Sequence, residues 1–356
     1  MGYRYIGSKS KILDVVLNKV NDLCETGDTI VDLMCGTATV SKELRCRGYN
    51  VISNDLMTYS YHHAVTNLKF SQEPSFSKAS KYIKNQLGLS VEQTSYDLML
   101  NALSMAEPKK GYFWKEFSSE GKPKNTDRPR NYYSPENAKK IDGIRRELET
   151  LKSEGCLEPY EYSLLNHDLI MCTNDIANIA GTYGHYMAKL SGRAKDELKL
   201  YKTELLLKDD VDNHTVLQGY AEDNAKLITA DLCYIDPPYM KRQYAANYHI
   251  LETIARGDEP EAIGVSGLRP WRDQYSNFCT KTKIRDSFRK IFQDMNCDRF
   301  LISYSEDGLL TVDDFQSLLK PFGDVYIDEF NHKRFKSNNS KLKNNLTEYL
   351  ILLNKR

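Results

Sequence analysis

The chain has 356 residues, which predicts a catalytic domain with a large insertion or a second domain. Its 49 Lys plus Arg balance 49 Asp plus Glu, so overall charge cannot steer a polyanion and any nucleic-acid contact must use local basic patches. The eight cysteines form no C-x-x-C pair or zinc-like spacing, and no signal peptide or membrane-spanning run is evident. We therefore expect a reduced, cytoplasmic protein with no structural metal and no membrane contact.

The first part of the chain has the pattern of a nucleoside-binding unit. A Gly-Ser-Lys turn at 7–9 precedes apolar residues at helical spacing. This pattern is typical both of a turn that binds an anion and of an ordinary helix start with a Ser cap. The strand 29–32 then runs into a turn at Gly36 and a helix, and a second strand ends at Asp55. Asp55 lies about 20 residues past the turn, where an acid typically holds ribose hydroxyls. Because Gly36 is the only glycine in this turn, a nucleoside that carries an amino-acid tail would fit there better than a pyrophosphate.

Residues 70–213 are polar and predominantly helical in pattern, with helices expected at 134–152 and 176–200. A basic, aromatic loop in this region suits phosphate contact and base stacking, although a solvated surface loop would have the same composition. The candidate nucleic-acid contacts in this loop are Lys109, Lys110, Tyr112, Trp114, Lys122, Lys124, Arg128 and Arg130.

Strand patterns resume at 214–217, and the next apolar run ends in Asp236-Pro237-Pro238-Tyr239. The two prolines must stop a strand, which leaves the carboxylate and the phenol at its carboxyl end, where open α/β sheets bind ligands. The carboxylate and the Pro237 carbonyl can accept both hydrogens of an exocyclic amino group and free its lone pair, while Tyr239 stacks on the base. The structural alternative is a Pro-Pro turn with Asp236 as a helix cap.

Two further polar segments follow the tetrapeptide. Arg242 and Tyr244 belong to a polar aromatic cluster where a substrate would leave the pocket. Strands are expected at 300–304, 325–330 and 349–353, with an amphipathic helix at 312–319. Between the last two strands, Lys333, Arg334 and Lys336 lie in a basic hairpin loop that suits phosphate contact, although such loops are often merely soluble.

Together these motifs resemble the Dam-like class of S-adenosylmethionine-dependent adenine-N6 DNA methyltransferases. The resemblance rests on Tyr5-Ile-Gly7-Ser-Lys9, Asp32 to Gly36, Asn54-Asp55, Asp223 and Asp236 to Tyr239, which occur in the family's order. The segment after the tetrapeptide looks most similar to the branch that includes modification enzymes of type IIS restriction systems, such as the FokI methylase. Ala38 departs from the glycine that many relatives have there.

The resemblance implies an α/β fold, a doubly wound Rossmann-like methyltransferase sheet with a mostly helical inserted target-recognition domain. Residues 1–69 and 214–356 would form the catalytic domain and 70–213 the insert. S-adenosylmethionine would contact Tyr5, Gly7, Lys9, Asp32, Gly36, Asp55, Asp223 and Asp236, whereas Asp236, Pro237, Pro238 and Tyr239 would act on a flipped adenine in duplex DNA.

The implied activity is site-specific adenine methylation within a restriction-modification system, with a cognate endonuclease as a possible partner. Two other activities use the same geometry, because RNA adenine and cytosine N4 are also exocyclic amines. A non-catalytic nucleic-acid-binding subunit that retains the fold is the alternative outside enzymes. Intact cofactor and catalytic motifs favour an enzyme.

Overall fold

The structure is a computed structural model and describes residues 12–88, 94–333 and 345–356. Within these residues the chain divides into two compact units. The sheet unit comprises 12–68, Asp212–Tyr244 and Gln274–Arg356. The helical unit comprises Lys69–Val211 and Ala245–Asp273, so it contains most of the predicted insert together with a segment that follows the tetrapeptide.

The sheet unit contains a seven-stranded sheet in the described residues. The strands are β1 (Thr29–Asp32), β2 (Asn50–Asp55), β3 (Thr215–Gln218), β4 (Leu232–Ile235), β5 (Arg299–Ser305), β6 (Gly323–Lys333) and β7 (Asn345–Lys355). Their order is β3-β2-β1-β4-β5-β7-β6. The first five are parallel and β7 is antiparallel to both neighbours. The α/β class and the strands predicted after the tetrapeptide are thus confirmed.

Helices cover both faces of this sheet. The helices of the sheet unit are α1 (Leu13–Leu23), α2 (Thr39–Cys46), α3 (Thr58–Leu68), α9 (Ala221–Asn224), α12 (Ile284–Asp294) and α13 (Val312–Leu319), and α10 (Tyr244–Asn247) begins at its last residue before the helical unit. One face packs Val16 of α1 and Leu44 of α2 on β1, β2 and β4. The other packs Phe288 of α12 and Phe315 of α13 on β4 and β5. The amphipathic helix expected at 312–319 is confirmed.

The helical unit is built from α4 (Ser80–Leu87), α5 (Tyr96–Ser104), α6 (Tyr112–Phe117), α7 (Pro135–Ser153), α8 (Pro159–Asp175) and α11 (His249–Arg256). The helix expected at 134–152 is confirmed as α7, which begins because the Ser134 side chain accepts from the Asn137 N–H and Pro135 occupies the first turn. α8 begins with a capping box between Glu158 and Glu161.

The helix prediction for 176–200 is wrong. After α8 ends at Asp175, the described chain contains only the 3₁₀ turn Gly192–Lys195 in this range. The side-chain amide of Asn178 donates to the backbone carbonyls of Asn131 and Met187, and its backbone N–H donates to the backbone carbonyl of Tyr132. These bonds to distant backbone groups replace the local bonds that a helix would need.

Candidate functional site

Two candidate carboxylates lie where the strand order of the sheet reverses. β1 has β2 on one side and β4 on the other, and the chain connections run outward in both directions from this point. Asp32 is the last residue of β1, and Asp236 follows the last residue of β4. Parallel strands place their carboxyl ends at one edge, and the crevice at such a reversal is the usual ligand site of open α/β sheets.

Asp32, at the end of β1, is 1% exposed. Its carboxylate accepts from the Ser41 hydroxyl at 2.6 Å and from the Ser41 N–H at 3.1 Å. Burial raises the pKa of Asp32 to about 7, and the nearby charges of Asp236 and Asp55 act in the same direction. Asp32 therefore links β1 to α2 and lies close enough to Asp55 and Asp236 for their charges to affect its pKa.

Asp55, at the end of β2, fixes the turn after β1. One carboxylate oxygen accepts from the Gly36 N–H at 2.8 Å and the other from the Met57 N–H at 2.8 Å. Gly36 has φ +53°, a left-handed conformation that favours glycine. Asn54 adds a further link, since its amide donates to the Leu33 carbonyl at 3.0 Å. The structure thus brings Asp32, Gly36 and Asp55 into one turn region.

Ala38 adopts a left-handed conformation, with φ 56° and ψ 23°. It precedes α2, and its N–H donates to the Cys35 carbonyl at 2.7 Å. Its side chain is fully buried beside Ala64. An L-residue in this conformation is strained by about 1–2 kcal/mol relative to the right-handed region. The departure from glycine noted in the sequence therefore occurs at a position whose backbone favours glycine.

The tetrapeptide leaves the sheet directly after β4, as predicted. Pro237 is buried, whereas Asp236, Pro238 and Tyr239 are each half-buried. The Tyr239 ring lies 5.9 Å from the Tyr304 ring in an edge-on arrangement, and the Tyr239 carbonyl accepts from the Leu309 N–H at 3.1 Å. The loop after β5 therefore positions the predicted stacking residue.

Sequence reasoning missed the residues that support these groups. Tyr304 ends the predicted strand 300–304, and its hydroxyl accepts from the N–H groups of Leu309 and Leu310. Ser41 holds Asp32, and Ser53 lies opposite Asp32 in the sheet register. The signal that could have identified Ser53 and Tyr304 is a polar residue near the carboxyl end of an otherwise apolar strand.

Asp223 is held by a cation of a neighbouring helix. It lies on α9, is exposed, and pairs with Lys290 of α12 at 2.7 Å. Its neighbour Glu222 is buried instead and accepts from the Ser287 hydroxyl at 2.6 Å. The carboxylate of Asp223 is therefore turned toward α12.

Most of the predicted basic loop lies on the surface of the helical unit. Lys110, Lys122, Lys124 and Arg128 are exposed. Three other predicted contacts of this loop are partly buried, namely Lys109, Tyr112 and Trp114. The Lys110 ammonium lies 4.7 Å from the Trp114 ring, and the Tyr112 hydroxyl donates to the Pro260 carbonyl at 2.7 Å. The ring of Trp114 is thus covered on one side by a cation.

Arg130 requires a correction, because it is fully buried. Its guanidinium pairs with Glu116 at 2.6 Å and donates to the carbonyls of Ala262 and Gly264 at 3.1 and 2.9 Å. A side chain held by these partners inside the helical unit cannot reach a phosphate. Arg130 is a structural residue, and its sequence setting in a basic loop was misleading.

Of the residues predicted near the substrate exit, Arg242 is exposed and Tyr244 is partly buried. Between them, Gln243 and Ser276 exchange two hydrogen bonds of 2.9 and 2.8 Å, which fix this segment. The other predicted site residues lie outside the described residues: Tyr5, Gly7, Lys9, Arg334, Lys336 and the side chain of Lys333.

In the part of the chain that the structure describes, no group of three or more His, Cys, Asp or Glu side chains is arranged to hold a metal ion. No helix among the same residues is long and apolar enough to cross a membrane.

Comparison with known proteins identifies a family and several relatives. The model of the family described as D12 class N6 adenine-specific DNA methyltransferase matches residues 5–318. The modification methylase StsI of Streptococcus sanguinis is 31% identical over 99% of this chain, and type II methyltransferase M.FokI of Planomicrobium okeanokoites is 32% identical over 99%. The chain spans 52% of each of these two relatives. Type II methyltransferase M.NlaIII of Neisseria lactamica is 28% identical, with 99% of both chains covered.

Proposed function

Since the chain belongs to the D12 class of N6 adenine-specific DNA methyltransferases, we propose that it methylates N6 of a flipped adenine at a specific site in duplex DNA. The observation that carries the proposal is the placement of Asp236-Pro237-Pro238-Tyr239 at the strand-order reversal of the sheet, beside Asp32. The names of the relatives, modification methylase and type II methyltransferase, favour a role in a restriction-modification system. A cognate endonuclease is then the expected partner.

The residues present fit S-adenosylmethionine as the methyl donor. Asp55 offers carboxylate oxygens at the end of β2, where ribose hydroxyls are commonly held, and the left-handed Gly36 lets backbone approach a ligand closely. We assign Asp32, Gly36 and Asp55 to this site, with Tyr5, Gly7, Lys9 and Asp223 as the further contacts that the family resemblance implies. The bound cofactor supplies an electrophilic methyl group on sulfur.

The tetrapeptide orients and activates the acceptor. Asp236 and the Pro237 carbonyl accept hydrogen bonds from the two amino hydrogens of adenine, which localises the nitrogen lone pair for direct attack on the methyl group that the cofactor would supply. The N–CH3 bond forms as the S–CH3 bond breaks, and the amino group loses one proton, without a covalent enzyme intermediate. Pro238 fixes the backbone of this turn, and Tyr239 stacks on the base and partly offsets the cost of flipping it, a few kcal/mol. Alignment and hydrogen bonding provide the rate enhancement.

We further assign the predicted insert, residues 70–213, to target recognition. Its exposed cations Lys110, Lys122, Lys124 and Arg128 are suited to phosphate contacts, and the partly buried Lys109, Tyr112 and Trp114 border the same loop. In the sheet unit, Arg242 and Tyr244 are the assigned contacts, together with the predicted Lys333, Arg334 and Lys336.

The decisive experiment incubates the protein and its Asp236→Ala variant with labelled S-adenosylmethionine and either mixed-sequence duplex DNA or RNA. Mass spectrometry of the digested nucleic acid then identifies the modified nucleoside. We expect N6-methyladenine in duplex DNA from the wild type and none from the variant. A methyl label found in RNA or on cytosine would show that the substrate is not adenine in duplex DNA. The absence of any label after incubation with the wild type would refute the proposed activity.

A further inference from the structure

A short loop follows the tetrapeptide and is held at both ends. Residues 240–242 of this loop are a methionine and two cations, and all three are exposed. The chain enters the 240–242 loop from Tyr239, whose carbonyl accepts from the Leu309 N–H at 3.1 Å. It leaves the loop at Gln243, whose side chain is buried. All of these residues belong to the sheet unit, so the loop is an exposed segment between two fixed points of one unit.

The Gln243 side chain contacts a single backbone residue of a neighbouring segment. Its Nε2 donates to the Ser276 carbonyl at 2.9 Å, and its Oε1 accepts from the Ser276 N–H at 2.8 Å. A third bond lies one residue earlier, where the Cys279 thiol donates to the Arg242 carbonyl at 3.3 Å. Because a buried amide uses both its donor and its acceptor on one residue, the end of the loop is fixed in both distance and direction.

The segment that Gln243 contacts belongs to the core of the sheet unit. Ser276 precedes the 3₁₀ turn Asn277–Cys279, in which Phe278 is 1% exposed. The Phe278 ring lies 5.1 Å from the Phe288 ring of α12 in an edge-on arrangement. Gln243 therefore connects the 240–242 loop to packed aromatic side chains rather than to another exposed loop.

The charge around the 240–242 loop is mixed. Within the described residues, neither Lys241 nor Arg242 forms an ion pair. The segment 274–283, which holds one end of the loop, contains two lysines and no acid, whereas the loop 306–311 at the other end contains two exposed acids. Together with the tetrapeptide, these segments contribute three acids: Asp236, Glu306 and Asp307. Charge alone therefore does not choose a partner for the two cations, and their position in the chain must do so.

We propose that Gln243 is a positioning residue, which holds the 240–242 loop so that Lys241 and Arg242 bind phosphates of the target strand beside the flipped adenine. The Cα atom of Lys241 can lie at most about 7 Å from that of Tyr239, the residue proposed to stack on the base. Phosphate contacts from lysine and arginine supply affinity and fix the register of the duplex. A loop that is fixed beforehand loses less conformational freedom on binding. The inference rests on the proposed function, which supplies duplex DNA as the substrate.

The test is a double-mutant cycle that measures whether Gln243 acts through the two cations. The cycle contains the wild type, Gln243→Met, the cation variant Lys241→Gln/Arg242→Gln, and the protein with all three substitutions. Methionine keeps the length of glutamine and fills the buried site, but it cannot donate a hydrogen bond and accepts only weakly. Each protein is titrated, at several salt concentrations, onto a labelled duplex that contains the sequence methylated by the wild type. Methyl transfer to the same duplex gives kcat and KM.

Two further variants separate positioning from stability. Ile291→Val shortens a fully buried side chain in the core of the sheet unit and lowers the stability of this unit, with the loop and its contacts unchanged. Ser276→Pro removes the N–H that donates to Gln243, at a residue whose φ of −81° is close to the range of proline. It breaks the same contact from the other side and leaves Gln243 in place. Circular dichroism establishes that each variant is folded.

We expect Gln243→Met and Ser276→Pro to weaken DNA binding about tenfold and to raise KM for DNA to the same extent. Their kcat should stay within about twofold of the wild-type value, because Leu309 still holds Tyr239. The slope of log Kd against log salt should be unchanged in both and should fall by about two in the cation variant. Within the cation variant, Gln243→Met should change DNA binding less than about twofold, because no cation remains to be positioned. Ile291→Val should bind DNA like the wild type.

Three results would contradict these expectations in different ways. Equal losses of affinity from Gln243→Met with and without the two cations would overturn the positioning role and leave Gln243 as a structural residue. A salt slope that the cation variant leaves unchanged would overturn the phosphate contacts. If Gln243→Met does not fold, Ser276→Pro takes its place in the cycle. A wild type that methylates no DNA refutes the proposed function itself, whereas an active wild type with an additive cycle refutes only the role of Gln243.

Discussion

Replacing Glu116 by glutamine should destabilise the helical unit, because Arg130 would remain as a buried cation without a counterion. The two charged groups lie 2.6 Å apart, and their side chains are 6% and 0% exposed. Removing one partner of such a buried pair typically costs 3–5 kcal/mol, because the remaining charge has lost its solvent and its partner. Glutamine keeps the length and one acceptor oxygen, so we expect a loss of about 3 kcal/mol in the free energy of unfolding.

Tryptophan fluorescence during denaturant unfolding measures this loss selectively. The chain contains two tryptophans, and both Trp114 and Trp271 belong to the helical unit, so their signal follows this unit alone. The matched control is Glu120→Gln, which makes the same chemical change at an exposed residue four positions away. It should change the free energy of unfolding by no more than about 0.5 kcal/mol.

The alternative role of Arg130 predicts a different result. If this arginine contacted DNA phosphates, as its basic loop indicated, Arg130→Met would leave the unfolding transition unchanged and would reduce the salt dependence of DNA binding. That outcome would refute the structural role. The structure predicts the reverse, a lower unfolding midpoint, because Arg130→Met also removes two hydrogen bonds to the carbonyls of Ala262 and Gly264.

Three further predictions concern other parts of the chain. Tyr239→Phe should retain more methyl transfer than Tyr239→Ala, because the ring matters more than the hydroxyl; equal losses in a transfer assay would argue against stacking. Burial lowers the pKa of His249 to about 3, below its usual 6.5, so the unfolded chain takes up the proton first. The free energy of unfolding should therefore fall by about 2 kcal/mol as pH drops from 7.5 to 5. Denaturation of the His249→Phe variant at both pH values should show that this pH-dependent loss is absent. Ala38→Val should lower the free energy of unfolding by about 2–4 kcal/mol, because a branched side chain would occupy a buried position with left-handed backbone. Calorimetry measures this loss, and an unfolding transition of the variant equal to that of the wild type would show that the turn can rearrange.

The sequence predicted those features that depend on local rules. Two consecutive prolines must end a strand, so the position of Asp236 after β4 followed from Pro237 and Pro238 alone. The helix predicted at 134–152 differs from α7 by one residue at each end, because Ser134 is its cap. Two apolar runs separated by a helix predicted a strand-helix-strand unit that ends at Asp55, and β1 and β2 indeed pair in parallel.

The features that it did not predict depend on partners far away in the chain. Arg130 is buried because Glu116 and the carbonyls of residues 262 and 264 meet its guanidinium, and the last two lie more than 130 residues along the chain. The stretch after α8 is irregular because Asn178 bonds to Asn131. In both cases a polar side chain satisfied by remote backbone overrode the local pattern.

The arrangement of the acids at the sheet edge explains how they coexist there. Three carboxylates in one crevice repel each other unless one of them is neutral or their charge is offset. Burial raises the pKa of Asp32, the most buried of the three, to about 7, which disfavours its charged form relative to that of an exposed carboxylate. The carboxylate of Asp55 accepts hydrogen bonds from two backbone N–H groups. Asp236 is more exposed to solvent than Asp32. Asp32 can therefore act as a structural link between β1 and α2 through Ser41, while Asp236 is only half-buried at the end of β4.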